Sequence, residues 1–253
     1  MNRASTLLAH LLALSLIGFG PVRLLLLHFH ILDYQPPVQH ANWRARVYAR
    51  LMLRQWLALI PLVLIFPGQG WSFHTSGWQL PAITFPVLCL VLVLLFVFLG
   101  IPLLFRSQIS PPESRNSGRF APLVHSLTII IPRTPKERAL FVPFSLSVGI
   151  CEEMLYRGFL PAYLTSIFPH IPLVFALLLA ALFFGLAHAP HTVVCIFNSV
   201  MGIINGFLYL STGSLFFPIL LHTVQNLRIL LVNMTNVPDP PEQSGEQSTS
   251  SPA

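Results

Sequence analysis

The chain has 253 residues, of which 54% are hydrophobic and 9% charged, with a mean hydropathy of +0.72. A soluble domain carries roughly 25% charged residues, so this chain lacks the charge to cover a water-facing surface, and the composition excludes the soluble domains that its length would allow. The formal net charge of +6 is no argument for nucleic acid, because the basic residues form short clusters between apolar runs, as helix-flanking, positive-inside determinants do.

A bilayer-spanning helix needs about 20 mostly apolar residues. In chain order the candidates are residues 7–27, 47–66, 81–105, 139–167, 170–188, 192–210 and 215–234. The first has no small-residue cleavage pattern after it and reads as an uncleaved helix, not a secretory signal. Arg23 lies inside it and can snorkel toward an interface. Arg50 and Arg54 occupy the first two turns of the second, and the third contains no charge at all. The stretch 120–131 is apolar but too short to span and reads as interfacial. The fold class expected is therefore all-α, a polytopic transmembrane bundle of about seven spans. It predicts an integral, multi-pass membrane protein with the lipid bilayer as a partner, in the plasma membrane if the host is prokaryotic.

Orientation follows from the front half. Arg44, Arg46 and Arg50 lie at the entry to the second span, and Arg106, Arg115, Arg119, Arg133, Lys136 and Arg138 lie between the third and fourth. The loop 68–80 has no lysine or arginine, so the two basic segments are predicted to be cytoplasmic. Three regions result: spans and basic loops over 1–133, a core over 134–234, and a tail over 235–253. The tail, rich in Pro, Ser, Gln and Glu, has the composition of disorder. Cys89, Cys151 and Cys195 each sit in an apolar run without CxxC spacing, which argues against disulfides and thiolate metal sites.

Polarity is lopsided, with few polar side chains in the first three spans and many in the last four. Ionisable residues inside membrane helices are costly and usually mark function. The string Cys151-Glu152-Glu153-Met154-Leu155-Tyr156-Arg157 places two carboxylates and a guanidinium in mid-span. Adjacent helical residues point about 100° apart, so the two glutamates take different surroundings. Glu153 and Arg157 are spaced i,i+4 with the glutamate first, the better order for an ion pair. Glu152 is then the carboxylate left free, a candidate general base or acid. His188 ends the fifth span, and His222 and Asn226 share a face of the last. A water between Glu152 and His188 could be deprotonated and attack a peptide carbonyl, with His222 and Asn226 stabilising the oxyanion.

Glu152-Glu153-x-x-x-Arg157, Phe184-x-x-x-His188 and His222-x-x-x-Asn226, in that order, resemble the signature of the CPBP intramembrane proteases. That family includes the type II CAAX prenyl endopeptidase, bacteriocin-processing and immunity proteins, and Abi proteins. Tyr156-Arg157-Gly158-Phe159-Leu160, Gly202-x-x-x-Gly206, Thr212-Gly213-Ser214-Leu215 and Pro218 add to the resemblance, which covers residues 134–231. It implies an intramembrane endopeptidase acting on a membrane-associated peptide or protein, with lipidated substrates among those the family takes. Glu152 and His188 would activate water, His222 and Asn226 would bind the oxyanion, and Glu153 with Arg157 would support the site. The family has been described both as metalloproteases and as metal-independent glutamate proteases. No HExxH zinc pair is present, and the metal-free version is favoured; a zinc ion, if bound, would take Glu152, His188 and His222 with an open position.

Bland readings stand beside these. Glu153–Arg157 needs no catalysis to exist, Asn226 alone is interhelical glue, and Gly202-x-x-x-Gly206 is a close-packing face. His191 follows His188 by three residues, but Pro190 breaks any shared helical face. A proton-coupled transporter would also place Glu152 and histidines in a membrane, yet the internal repeats usual for transporters are not evident. A non-catalytic protein binding a peptide or partner in the same place is the remaining alternative.

Overall fold

The computed structural model describes residues 3–28, 43–74, 76–104, 131–189 and 191–231. Among them the regular structure is all helical and forms seven helices. They are α1 (Arg3–His28), α2 (Trp43–Gln69), α3 (85–104), α4 (Pro135–Ile167), α5 (Leu173–Leu186), α6 (Thr192–Thr212) and α7 (Phe216–Leu227). A 3-10 turn, Arg228–Leu231, continues α7. The basic loop 106–119, all but the last residue of the stretch 120–131, and the tail 235–253 lie outside the described residues.

Each expected span corresponds to a helix, but the boundaries and lengths differ. Four helices, α1, α2, α4 and α6, are long and apolar enough to cross a membrane by length and composition, and the other three are apolar but shorter. Helix α5 has 14 residues, or about 21 Å at 1.5 Å per residue, where the sequence predicts a span over 170–188. Pro172 caps its start, and the bonds His188 N–H to Gly185 O and Ala189 N–H to Leu186 O close it in tight turns. His188 thus sits in the turn that ends α5. Helix α2 begins at Trp43, so Arg44 and Arg46 belong to the helix and not to a preceding loop. Arg44 is buried and lies 3.8 Å from Glu137 at the start of α4.

Local chemistry explains where α4 begins. Thr134 accepts a hydrogen bond from the Glu137 amide at 3.1 Å, and Glu137 accepts one from the Thr134 amide at 3.1 Å, a reciprocal capping box with Pro135 at the first helical position. Farther along, α3 and α4 each contain a π-helical stretch, Phe96–Gly100 and Met154–Phe159. In both, the residue after the stretch donates its amide five residues back, Ile101 to Phe96 and Leu160 to Leu155. In both, a proline comes next, Pro102 and Pro161. A proline supplies no N–H, so the ladder is broken there in any case and a widened turn costs less.

The outer surface is apolar, with Leu11, Leu14, Leu57, Val63, Leu88, Leu92, Phe175 and Phe207 all exposed. Such a surface suits lipid, where only the backbone must be satisfied internally. Helix α4 lies at the centre, packed against α2, α5 and α7, while α5 and α6 form the most extensive pair. One core cluster joins α1, α2, α4 and α5 through Ala13, Leu62, Phe66, Phe159, Leu160 and Phe184. A second joins α3, α6 and α7 through Val91, Phe98, Leu208 and Leu221. Tyr48 of α2 stacks on Phe144 of α4 with ring centroids 5.1 Å apart.

The segment between α2 and α3 is strapped to the corner between α6 and α7. Leu215 N–H bonds to Gly77 O at 2.9 Å, Ala82 N–H to Thr212 O at 3.0 Å, Ser214 Oγ to Gln79 O at 2.6 Å and Gln79 Nε2 to Gly213 O at 2.7 Å. Gly77 and Gly213 both have positive φ, 97° and 65°, which is the left-handed backbone that favours glycine.

Candidate active site

Four helices contribute polar side chains to one buried cluster. Glu153 of α4 is fully buried, and its Oε1 accepts three hydrogen bonds: from Arg157 Nη1 at 3.0 Å, Asn205 Nδ2 at 2.9 Å and His222 Nδ1 at 2.8 Å. Donors to one carboxylate from α4, α6 and α7 tie those helices together at this depth. Because Arg157 and Asn205 both donate, Glu153 is the acceptor and His222 Nδ1 must carry a hydrogen. His222 Nε2 is left facing away, 3.7 Å from Glu152 Oε2. One imidazole therefore spans both glutamates.

The two carboxylates differ in their surroundings. Glu153 is 0% exposed, whereas the Glu152 side chain is 20% exposed. Glu152 Oε1 accepts a hydrogen bond from Gln55 Nε2 of α2 at 3.0 Å. Glu152 Oε2 is buried without a hydrogen-bond partner among the described residues, as is Glu153 Oε2, but only the Glu152 side chain is partly open. A reactive proton acceptor needs such an uncommitted oxygen.

Phe184 of α5 is the hub that gathers the rest. The Arg157 guanidinium lies 4.7 Å above its ring, a cation–π arrangement. Its edge contacts hold the imidazoles of His188 at 4.9 Å and His222 at 5.7 Å, and Tyr156 packs at 5.1 Å. His188 Nδ1 lies 2.8 Å from the Phe184 carbonyl. A carbonyl can only accept, so Nδ1 holds the hydrogen and a neutral ring keeps Nε2 as an acceptor. The other end of the cluster is shaped by glycine: a Cβ at Gly202 would lie 2.8 Å from the Ala181 Cβ and 3.1 Å from Arg157 Nη2.

The residues singled out in the sequence are thus distributed unevenly. Glu152, Glu153, Arg157 and His222 are linked by the distances given, and His188 joins them through Phe184. Asn226 lies one turn beyond His222 on α7 and is half-buried, with no side-chain hydrogen bond to a described residue. Two members of the cluster, Gln55 and Asn205, are absent from the sequence reading. Asn205 sits within Gly202-x-x-x-Gly206, where the glycine spacing reads simply as packing. Gln55 is the polar residue on an otherwise apolar stripe of α2.

The donor set was also tested for a metal. No group of three His, Cys, Asp or Glu side chains among the described residues converges as metal ligands. His188 and His222 each commit Nδ1 to an acceptor, the Phe184 carbonyl and Glu153 Oε1, and leave Nε2 free, as a metal-ligating imidazole also does.

Between α4 and α7 lies a cavity of about 630 Å³, walled by Leu146 and Ile150 of α4, Ile219, Leu220 and Thr223 of α7, and the strap residues 77–80, with neither glutamate and neither histidine of the cluster in its lining. Thr223 adjoins His222 in sequence, and Ile150 lies nearly one helical turn before Glu153. Its walls are mostly apolar side chains.

Residues 134–228 match the family model described as Type II CAAX prenyl endopeptidase Rce1-like. The match runs from the cap of α4 to the end of α7, so it contains Glu152, Glu153, Arg157, His188, His222 and Asn226 and leaves α1 to α3 outside. It names the family that the three motifs resemble. No curated protein and no solved structure matches the chain significantly.

Proposed function

We propose that this chain is an intramembrane endopeptidase that hydrolyses a peptide bond of a membrane-associated protein with a water activated by Glu152, without a metal. The observation that carries the reading is the placement of Glu152 Oε2 beside the His222 imidazole. Glu152 Oε2 is buried and uncommitted, and it lies 3.7 Å from an imidazole nitrogen whose ring is anchored on Glu153.

The chemistry follows from those donors and acceptors. A water next to Glu152 Oε2 gives up a proton to the carboxylate as its oxygen attacks the substrate carbonyl. His188, with Nε2 an acceptor, holds the second hydrogen of that water and aligns its lone pair. The oxyanion that forms is met by an Nε2–H of His222, whose Nδ1–H is held by Glu153, and by the Asn226 amide. One donor of this kind contributes about 2.7–4 kcal/mol to barrier lowering. The proton on Glu152 then passes to the leaving amine. Arg157 and Asn205 hold Glu153, and through it the imidazole, in register.

The apolar cavity between α4 and α7 is the seat for an apolar portion of the substrate, and its size suits a lipid chain on a cysteine as well as an apolar peptide segment. The type II CAAX prenyl endopeptidase likeness supports the lipidated alternative.

Membranes from cells carrying wild type or Glu152→Gln, compared by terminal-peptide proteomics, test the reading. Loss of a defined set of new termini in the variant, with unchanged folding, is expected. Identical termini in the two samples would overturn it. Cleavage that survives strong chelation is the expected result of a metal-free site, and abolition restored by zinc would refute that part. Prenylated and unprenylated versions of a cleaved peptide, compared for KM, distinguish the two occupants of the cavity.

A further inference from the structure

Helix α2 lies outside the segment that matches the family model, yet it reaches the reacting carboxylate. Its inward stripe runs Tyr48, Met52, Gln55, Leu59, Leu62 and Phe66, at the spacing of one helical face. Gln55 interrupts this stripe near mid-helix. Burying an amide among apolar side chains is unfavourable unless it is hydrogen-bonded, and its Nε2 donates to Glu152 Oε1 at 3.0 Å. Gln55 Oε1 is buried and has no partner among the described residues, so the bond to Glu152 is what orients the amide. With Oε1 held by Gln55, the carboxylate plane is fixed and Oε2 is left toward His222. A freely rotating carboxylate would exchange the two oxygens and spread over several rotamers, and small losses of orientation cost large factors in rate.

We propose that Gln55 is a positioning residue of the hydrolytic site, acting through Glu152 and supplied by the part of the chain outside the protease-like segment. This rests on Glu152 being the base, and the test keeps the two ideas apart.

The substrate is a synthetic peptide spanning the strongest cleavage that Glu152→Gln abolishes in membranes, and kcat, KM and thermal unfolding are measured for the purified full chain. Gln55→Leu keeps the volume and helical preference but removes the donor. It is expected to lower kcat about 10- to 100-fold with KM within about twofold and unfolding unchanged. Gln55→His restores an N–H donor at similar reach and should recover a substantial part of the lost kcat. Wild-type kcat in Gln55→Leu would overturn the proposal. So would a loss of kcat that tracks a loss of stability, or a Gln55→His enzyme as slow as Gln55→Leu. If the purified Glu152→Gln chain cleaves this peptide at the wild-type rate, the loss seen in membranes was indirect and the assignment of the base fails, whatever Gln55 does.

Discussion

Replacing Arg157 with methionine removes the guanidinium but keeps an unbranched apolar side chain against Phe184. Glu153 is then a buried carboxylate without its cation. Breaking a buried ion pair from one side costs about 3–5 kcal/mol. Here Asn205 and His222 still donate to the same oxygen at 2.9 and 2.8 Å, so the lower end, about 3 kcal/mol, is expected. For a chain of this length that corresponds to a fall of about 6–12 °C in the unfolding temperature. The partner experiment is Glu153→Gln/Arg157→Met. Its neutral amide oxygen still accepts from Asn205 and His222, so most of the stability should return. Cleavage should not, because His222 has lost the carboxylate that faces its Nδ1. Thermal unfolding in detergent with a parallel cleavage assay reads both quantities. An Arg157→Met protein that unfolds within 2 °C of wild type (about 1 kcal/mol or less) would refute the reasoning, as would a double variant no more stable than the single.

Other variants probe the scaffold. A Cβ at Gly149 would lie 2.5 Å from Thr223 Oγ1 and 3.2 Å from Ile219 O, so Gly149→Ala should push α7 away from α4 at a cost of about 1–3 kcal/mol. The cleavage rate should fall with it, and adding Thr223→Ala, which removes the nearer contact, should restore part of both. Thr134→Ala deletes the capping box of α4 and should cost about 1 kcal/mol, seen as faster amide exchange in the first turn of α4 with cleavage within about twofold of wild type.

The Glu153–Arg157 contact was legible because i,i+4 geometry is local: four residues of sequence decide it. The same reasoning separated Glu152 from Glu153, and their exposures do differ. It did not anticipate that His222 would touch both, since the distance between α4 and α7 is set by Gly149 and Thr223, and no periodicity encodes that. Asn205 and Gln55 went unnoticed for a related reason. Each is a polar residue in a helix that is mostly apolar, and its meaning depends on a partner 52 or 97 positions away. Gln55 carried a usable signal even so, as the amide on the inward stripe of α2. Hydropathy located all seven helices but overestimated α5, because an apolar window registers neither the start at Pro172 nor the tight turns through His188 and Ala189. The π-helical stretches left no trace in hydropathy at all; Pro102 and Pro161 were their marks.

The strap across the α6–α7 corner bears on how this protein can be divided. Four hydrogen bonds from residues 77–82 hold residues 212–215, and α7, with His222 on its second turn, begins immediately after them. The rotational setting of His222 is thus fixed in part by chain that precedes residue 134. A fragment beginning at Thr134 would keep every motif residue and still lose the clamp on α7, along with the α2 contact to Glu152. The segment 134–228 is accordingly a poor module for excision or for grafting onto a foreign set of leading helices. A working transplant would have to carry the strap and the corner it grips as a matched pair.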